Sequence, residues 1–300
     1  MSKVHPPHHM YDLHTPVLLD AALRLLDPQN GECYLDLTAG YGGHAGAFLE
    51  RTGEYSNSVF VDRDDYALAQ LSDFQRKGVR LIHADFVTAA QQLVDEGKQF
   101  ALVLIDLGVS SPQLDQGERG FSFTHSGPLD MRMDRSQVFT AAELVNTAKE
   151  SQLVDIIRRY GEEPAPVARR IASAIVAARP LTTTNELGDL IKQEFRGRKA
   201  KIHPATRTFQ ALRIAVNDEL RQVEDVLQLL PKLLVQGGRV GVISFHSLED
   251  RLVKRYFAEQ RASGFEAELR SLTKKPIDGA IEDVHNPRAR SAKLRAAVKI

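Results

Sequence analysis

Four short apolar runs near the start of the chain, each followed by a segment with helical spacing, most restrict what this sequence can fold into. The runs are rich in β-branched or aromatic residues, as buried strands are, and they lie at 33–38, 58–62, 79–83 and 101–106. Alternating strands and helices predict a parallel sheet with helices on both faces. The pattern resumes with a helix over 218–234 and a strand over 239–245, and two weaker strands at 267–272 and 292–300 complete the sheet.

Between these two parts, strand patterns give way to helical ones. Thr140 with Glu143 and Thr183 with Glu186 match the capping box, in which the threonine and glutamate side chains satisfy free backbone donors at a helix start. Helices are predicted near 141–147, 150–160, 166–178 and 185–195. This part of the chain therefore predicts an all-helical domain.

The length and composition of the chain set the outer limits of the prediction. Its 300 residues suffice for one large domain or two modest ones, and its formal net charge is zero. We predict an α/β fold with a mostly parallel, Rossmann-like sheet formed by residues 1–112 and 205–300, interrupted by an inserted helical domain at 113–204.

Cysteine usage and hydropathy bear on the compartment. Cys33 is the only cysteine, so the chain has neither a disulfide nor a Cys-rich zinc site. The first residues lack the apolar run of a signal peptide, and no stretch approaches the roughly 18 to 20 apolar residues of a membrane span. The histidines show no metal-ligand spacing. We expect a cytoplasmic protein that needs neither membrane nor metal.

A glycine-rich turn follows the first predicted strand in the stretch YLDLTAGYGGHAG. Asp36 lies in the strand, whereas Gly40, Gly42 and Gly43 lie in the turn that enters a helix. Glycines there allow a ligand close to the backbone, and the helix start offers free N–H groups. Such a turn also occurs without a ligand. Asp62 at the end of the second strand favours a ligand, because a carboxylate there accepts hydrogen bonds from both hydroxyls of a nucleotide ribose.

The spacing of these glycines separates two nucleotide cofactors. A nicotinamide dehydrogenase would carry G-x-G-x-x-G, whereas this chain carries G-x-G-G-x-x-G. Asp36 would repel a pyrophosphate, but it would attract the ammonium and sulfonium groups of S-adenosylmethionine. Asp85 and Phe86, after the third strand, are predicted to supply an acceptor and an apolar face for the adenine. We therefore predict S-adenosylmethionine as the cofactor.

The segment DLGVSSPQ follows the fourth strand and begins at the edge of the sheet where ligands bind. It is similar to the D/S/N-P-P-aromatic tetrad of amino-group methyltransferases, where acceptors hold an exocyclic amine as it attacks the methyl group. The candidate catalytic residues are Asp106, Ser110, Ser111 and Pro112. A plain polar turn is the alternative. Methylation at carbon 5 of a pyrimidine is disfavoured, because it needs a cysteine nucleophile and Cys33 lies away from the strand ends.

Longer motifs resemble the RsmH (MraW) family, bacterial methyltransferases that act on N4 of a cytidine in the decoding region of 16S ribosomal RNA. They span His14 to about Arg295 and read HTPVLLDAAL, DLTAGYGGH, DLGVSSPQLDQGERGFSF with GPLDMRMD, HPATRTFQALRIAVNDEL, ISFHSLEDRLVKRYF and NPRARSAKLR. The resemblance implies a class I S-adenosylmethionine-dependent methyltransferase fold with a helical insert for substrate recognition. The cofactor ligands that it implies are Gly42, Gly43, His44, Asp62, Phe86, Asp106 and Gln113. Its implied substrate is 16S ribosomal RNA, either free or, as the family suggests, in the small ribosomal subunit.

Two runs of basic residues predict contacts with RNA phosphates, although solvated surface faces are the alternative for each. The first run, from Phe195 to Asn217, has no acidic residue, and its candidates are Arg196, Arg198, Lys199, Lys201 and Arg207. The second run follows Asp283 and contains Arg288, Arg290, Lys293, Arg295 and Lys299, of which the first two are the candidates. His246 is a candidate for positioning the substrate. Phe121, Phe123 and Phe209 could stack on a base, although such aromatics more often belong to a core.

Other functions share parts of this pattern. A ribosome assembly factor could keep the cofactor fold without turnover, and a methyltransferase could act on another amino group. The intact Gly42, Gly43 and Asp62 favour an active enzyme. The oligomeric state does not follow from the sequence.

Overall fold

A computed structural model describes residues 16–109, 114–195 and 203–300. The chain divides into two compact units. Unit 1 comprises the described part of Met1–Gly108 together with Gln222–Ile300, and unit 2 comprises the described part of Val109–Arg221. No helix within the described residues is both long and apolar enough to span a membrane.

Unit 1 is built on one mixed sheet. Its strands are β1 Tyr34–Asp36, β2 Val59–Asp62, β3 Arg80–His83, β4 Phe100–Asp106, β5 Leu234–Ser244, β6 Leu269–Ser271, β7 Ile277–Asp278 and β8 Lys293–Lys299. The strand order is β3-β2-β1-β4-β5-β8-β6, with β7 paired to β8. Strands β1 to β5 run parallel, and β8 is antiparallel to β5. The predicted class I, Rossmann-like fold with a mostly parallel sheet is confirmed.

The helices follow the predicted alternation closely. They are α1 Leu19–Leu26, α2 Gly43–Thr52, α3 Asp65–Gln70, α4 Ser72–Arg76, α5 Phe86–Asp95, α6 Ala141–Thr147, α7 Glu150–Tyr160, α8 Ala165–Ala177, α9 Thr184–Glu194, α10 Thr206–Asn217, α11 Glu219–Leu233, α12 Ser247–Ala262 and α13 Gly279–Glu282. The boundary between the units falls at Arg221, within α11. Helices α6 to α9 lie within one residue of their predicted bounds, because their amphipathic spacing and caps are local signals.

The sheet of unit 1 separates two apolar clusters. Tyr34, Leu102 and Leu104 belong to one cluster, and Leu35 and Val103 belong to the other. Successive side chains of a strand point to opposite faces of a sheet, so each buried strand contributes to both clusters. This burial on two faces is the reason why the strands are apolar without alternation.

The start of α1 differs from the prediction. The pattern Thr15-Pro16 predicts a helix that begins at Pro16, whereas α1 begins at Leu19. Leu18 precedes it in a left-handed conformation with φ of 57°, and its amide donates to Oδ2 of Asp283 at 2.9 Å. This contact, made with a residue far along the chain, holds the segment outside the helix. Thr15 lies outside the described residues.

Unit 2 is a bundle of short helices with a core of its own. Both predicted capping boxes are present: Thr140 with Glu143 opens α6, and Thr183 with Glu186 opens α9. The core of unit 2 includes Leu144, Leu153, Ile157, Ile171, Ile175, Leu187 and Ile191. The prediction of a helical insert after the fourth strand agrees with this arrangement.

The structure corrects the predicted end of the insert. Residues 205–221 were assigned to the sheet domain, but they belong to unit 2. Phe209 and Leu212 of α10 pack in the core of unit 2. Asn217 adds two bonds, because its Oδ1 accepts from the amide of Met133 at 2.9 Å and its Nδ2 donates to the carbonyl of Met131 at 2.8 Å. These contacts join residues more than eighty positions apart, so no local pattern announces them.

Candidate functional site

The glycine-rich turn between β1 and α2 is shaped by packing as well as by backbone conformation. Gly40 and Gly42 have φ of 52° and 81°, in the left-handed region that favours glycine. A Cβ on Gly42 would lie 2.8 Å from Cδ2 of Leu71, and one on Gly43 would lie 2.5 Å from Cγ of Pro16. The sequence predicted close approach of a ligand at these glycines. In the structure, the side chains that require glycine at positions 42 and 43 are Leu71 and Pro16, which belong to unit 1.

Asp62 is tied to this turn. Its Oδ2 accepts a hydrogen bond from the amide of Gly40 at 2.7 Å, and its Oδ1 accepts from the amide of Asp64 at 2.9 Å. Burial raises the pKa of Asp62. Asp64 caps α3 by accepting from the amide of Tyr66. Asp62, the predicted ribose ligand, is therefore held at the end of β2, and a backbone amide donates to each of its carboxylate oxygens.

Asp36 ends β1 and is almost fully buried, with 1% of its surface exposed. The hydroxyl of Tyr34 donates to its Oδ2 at 2.7 Å, and the amide of Thr38 donates to its Oδ1 at 3.1 Å. Burial raises the pKa of Asp36 to about 6 despite these two donors. The carboxyl group of Asp36 therefore gains and loses its proton about one pH unit below neutrality.

Asp106 ends β4, the neighbour of β1 in the sheet. Its amide donates to Oγ1 of Thr38 at 2.6 Å, which ties it to the β1 turn. Its Oδ1 is buried and has no hydrogen-bond partner among the described residues. Burial raises the pKa of Asp106 well above its ordinary value, and the nearby carboxylates of Asp36 and Glu249 raise it further. Asp106 therefore has unused acceptor capacity inside the predicted site.

His44 lies in the first turn of α2 and faces Asp106. Its Nε2 lies 3.0 Å from the carbonyl oxygen of Val17, so Nε2 carries the proton that is donated there. Its Nδ1, left with a lone pair, lies 3.5 Å from Oδ2 of Asp106. Burial lowers the pKa of His44 to about 4, so the ring is neutral at pH 7. The sequence indicated His44 only through the family resemblance, because its environment is set by Val17 and Asp106, which are distant in the chain.

Together, the strand ends bring three carboxyl groups to one edge of the sheet of unit 1: Asp36, which is buried, and Asp62 and Asp106, which are half-buried. None of the three forms a salt bridge with Arg or Lys in the part of the chain that the structure describes. Burial raises the pKa of each. Such a cluster favours a cationic ligand, because a positive charge would relieve the repulsion and the loss of hydration.

The end of β3 departs from the prediction. Asp85 was expected to accept from the edge of an adenine ring, but its carboxylate caps α5. Its Oδ1 accepts from the amides of Val87 and Thr88 at 3.0 and 2.9 Å, and its Oδ2 accepts from the hydroxyl of Thr88 at 2.6 Å. Phe86 is the first residue of α5 and packs in the core of unit 1 with 8% exposure. Its role as a cofactor contact stays a prediction.

His246 follows β5 and caps α12. Its Nδ1 accepts from the amide of Glu249 at 3.3 Å, and its Nε2 lies 3.1 Å from Oε1 of Glu249. Oε2 of Glu249 accepts from the amide of Phe245 at 2.7 Å. The sequence contains this signal, since H-S-L-E is a variant of the capping box. The structure thus gives His246 a local structural role, and its contact with substrate stays a prediction.

In the second basic run, three side chains have partners within unit 1. Arg295 and Lys293 face Asp250, at 2.7 and 3.5 Å, and Nζ of Lys299 donates to the carbonyl of Leu234 at 2.9 Å. These three basic residues are engaged within unit 1. Arg290 is exposed and Arg288 is half-buried.

The first basic run is also engaged in part. In unit 2, Arg213 forms a two-pronged pair with Glu219 at 2.8 Å. Arg207 is exposed, with Nη1 3.6 Å from Oε1 of Glu163. The remaining predicted site residues, Ser110, Ser111, Pro112, Gln113, Arg196, Arg198, Lys199 and Lys201, lie outside the described residues.

The aromatic candidates of unit 2 differ in exposure. Phe121 and Phe209 are buried, with 7% and 4% of their surface exposed, and both pack in the core. Stacking of RNA on these two rings is excluded by their burial in this structure. Phe123 is half-buried.

Comparison with known proteins bears on the family. The model of the MraW methylase family matches residues 12–300. A protein named ribosomal RNA small subunit methyltransferase H, from a Geobacter species, is 48% identical over 96% of this chain and 98% of its own length. Another protein of that name, from a Synechocystis species, is 47% identical over 96% of this chain and 93% of its own length. Among solved structures, a putative rRNA-methylase from Clostridium thermocellum covers 95% of this chain and 97% of its own, at 12% identity and a TM-score of 0.46. The two sequence relatives and the family model confirm the resemblance drawn from the motifs: this chain belongs to the MraW methylase family.

Proposed function

We propose that this chain transfers a methyl group from S-adenosylmethionine to the exocyclic N4 amine of a cytidine in the decoding region of 16S ribosomal RNA. The observation that carries the proposal is the cluster of Asp36, Asp62 and Asp106, three carboxyl groups at one edge of the sheet beside a neutral His44; Asp36 is buried and the other two are half-buried. Membership of a methylase family and relatives named as ribosomal RNA methyltransferases support the same reading. In this proposal the substrate is the small ribosomal subunit, and the protein acts in the cytoplasm.

The charge of the cluster suits S-adenosylmethionine. This cofactor brings an ammonium and a sulfonium group, and both are attracted by carboxylates in a site of low polarity. Asp106 is the candidate for the ammonium, because its Oδ1 is buried and has no hydrogen-bond partner within the described residues. Asp62 is the candidate for the ribose hydroxyls, since it ends β2 as the nucleotide-binding carboxylate does in Rossmann-like sheets.

The start of α2 is the candidate binding site for the carboxylate of the cofactor. Gly43 and His44 open α2, and the first N–H groups of a helix have no partner within the helix. A carboxylate bound there would be stabilised by these donors and by the positive end of the helix dipole. Glycine at position 42 leaves room for Leu71 beside this helix start, because a Cβ there would lie 2.8 Å from Cδ2 of Leu71.

The chemistry of the target follows from the predicted catalytic residues. The lone pair of an exocyclic amine is delocalised into its ring, so acceptors on its hydrogens help it become tetrahedral as it attacks. Asp106, Ser110, Ser111 and the Pro112 region are proposed to provide these acceptors. When bound, S-adenosylmethionine supplies the methyl group: a nitrogen–carbon bond forms, the carbon–sulfur bond breaks, and the amine proton leaves to water. No dedicated general base is required.

The test is transfer of labelled methyl from S-adenosylmethionine to small ribosomal subunits that lack the modification, followed by mapping of the modified nucleoside. Asp106→Asn should reduce transfer by about 10- to 100-fold, because a charged acceptor for the ammonium is lost. Asp95→Asn is the matched control: Asp95 is exposed at the end of α5, and its replacement should leave transfer unchanged.

Two outcomes would contradict the proposal. No transfer by the wild-type protein would favour an assembly factor that keeps the cofactor fold without turnover. Label on carbon 5 of a pyrimidine, or on another amino group, would refute the assignment to N4.

A further inference from the structure

Two aromatic rings of unit 2 stack face to face at the margin of its core. The ring centroids of Phe123 and His203 are 4.5 Å apart, and their planes are inclined by 23°. Phe123 is half-buried, whereas His203 is exposed. Phe123 covers one face of the imidazole, and His203 as a whole residue is exposed to solvent.

Three neighbours hold this stack in place. The ring of Phe209 meets Phe123 edge-on, with centroids 5.0 Å apart and planes at 76°. A Cβ on Gly188 of α9 would lie 3.2 Å from Cβ of Phe123, so glycine leaves room for the phenyl group. The amide of Ala205 donates to Nδ1 of His203 at 3.2 Å and fixes the rotation of the imidazole. A surface that is ordered in advance binds a flat ligand at a lower entropic cost.

The chain around His203 is basic. Residues 196–202, which directly precede it, contain four basic residues and no acidic one. Arg207 follows one turn later in α10 and is exposed. Proteins that bind single-stranded nucleic acid combine exposed aromatic rings for the bases with basic side chains for the phosphates. The sequence around the stack therefore complements a polyanion whose bases are unpaired.

We propose that the Phe123–His203 stack is a platform for an unpaired base of RNA. This inference rests on the proposed RNA substrate and names a contact in unit 2 for it. The base lies on the imidazole, parallel to Phe123, while the exposed Arg207 contacts a phosphate. Every base presents a π-face, so this contact strengthens binding without selecting a sequence.

Two substitutions at position 203 separate stacking from the local hydrogen bond to the amide of Ala205. His203→Asn removes the ring but keeps a side-chain acceptor for the amide of Ala205, since asparagine makes the same local bond to a residue two positions later. His203→Phe keeps a ring but loses that acceptor. A stacking role predicts that the Asn variant is impaired and the Phe variant is not, whereas a role of the hydrogen bond alone predicts the reverse.

The probes are two single-stranded oligoribonucleotides of equal length. One carries 2-aminopurine, whose fluorescence falls when the base stacks, and the other is an abasic backbone that offers phosphates alone. His203→Asn should weaken binding of the first by roughly five- to hundredfold, the range of one base–aromatic stack, and leave the second unchanged. The ratio between wild type and variant should persist at higher salt, because stacking releases no counterions.

His125→Asn is the matched control, since His125 is also exposed in unit 2 and no ring stacks on it within the described residues. It should bind both probes as the wild type does. Thermal unfolding of each variant checks that unit 2 stays folded.

The platform is refuted if His203→Asn binds the 2-aminopurine probe as the wild type does, or if it weakens both probes equally. Binding of an acidic peptide that depends on His203, without any effect on RNA, would instead assign the surface to a protein partner. Methyl transfer by the wild type is a separate measurement, so a failed platform leaves the proposed enzymatic function standing.

Discussion

Asp106 and His44 face each other where burial disfavours a charge on either side chain. His44 donates from Nε2 to the carbonyl of Val17, so its Nδ1 lone pair is turned towards Asp106 at 3.5 Å. A protonated carboxyl group can donate to that lone pair, whereas a carboxylate would be repelled by it. The raised pKa of Asp106 and the lowered pKa of His44 agree with a pair in which both partners are neutral.

This arrangement predicts that cofactor binding depends on pH. The free protein holds extra protons on Asp36, with a pKa of about 6, and on Asp106, whose pKa is also raised. A bound ammonium or sulfonium favours the ionised carboxylates, so binding releases protons. The affinity for S-adenosylmethionine should therefore rise with pH from 5 to 7, by up to about tenfold per pH unit for each proton released.

Calorimetric titrations in two buffers with different ionisation enthalpies would measure the protons released. The Asp106→Asn variant should bind S-adenosylmethionine more weakly than the wild type does, and its binding should release fewer protons. An affinity that stays constant between pH 5 and 8 would contradict this account of the site.

Among the elements, the turn between β1 and α2 is the most restricted by packing. Gly42 and Gly31 have similar backbone conformations, with φ of 81° and 84°. They differ in their surroundings, because a Cβ on Gly42 would lie 2.8 Å from Leu71, whereas one on Gly31 would meet nothing within 4 Å. The pair therefore separates backbone strain from steric overlap.

Gly31→Ala should lower the free energy of unfolding by about 1 to 2 kcal/mol, which is the cost of a left-handed alanine. Gly42→Ala should cost about 2 to 5 kcal/mol, because overpacking adds a further penalty, and it should also weaken cofactor binding. Urea denaturation and titration with S-adenosylmethionine would measure both effects. Equal costs at the two positions would show that Leu71 moves aside freely.

Helix starts show where local patterns succeed and where they fail. Thr183 was recognised as the cap of α9 because threonine followed by glutamate three residues later is a local signal. Asp85 and His246 also cap helices, but the sequence suggested functional roles for them. An acidic or imidazole side chain at a strand end serves either purpose, and only its hydrogen bonds distinguish them.

At the scale of the whole molecule, the two units have separate apolar cores. Leu153 is fully buried in the core of unit 2, whereas the predicted cofactor carboxyls Asp36, Asp62 and Asp106 belong to unit 1. Leu153→Ala should lower the free energy of unfolding of unit 2 by about 2 to 5 kcal/mol, because it leaves a cavity. The affinity for S-adenosylmethionine should change little.

Chemical denaturation followed by circular dichroism, together with calorimetric titration, would check this prediction. Ser151→Ala is the control in the same helix, since Ser151 is exposed and its replacement should alter stability by less than about 0.5 kcal/mol. A large loss of cofactor affinity in Leu153→Ala would show that the site depends on the core of unit 2.

The sequence by itself determined the order of strands and helices, the helical insert, and the chemistry of the strand ends. These features follow from periodicity, caps and the rule that parallel strands end at one edge of a sheet, all of which are local or topological. Only the tertiary structure decided which charges are free. It placed Arg295 and Lys293 against Asp250, and it stacked His203 on Phe123, eighty residues away. It also decided the protonation of the site, because the pKa of a buried group depends on burial and hydrogen-bond partners, and distant segments of the chain supply both.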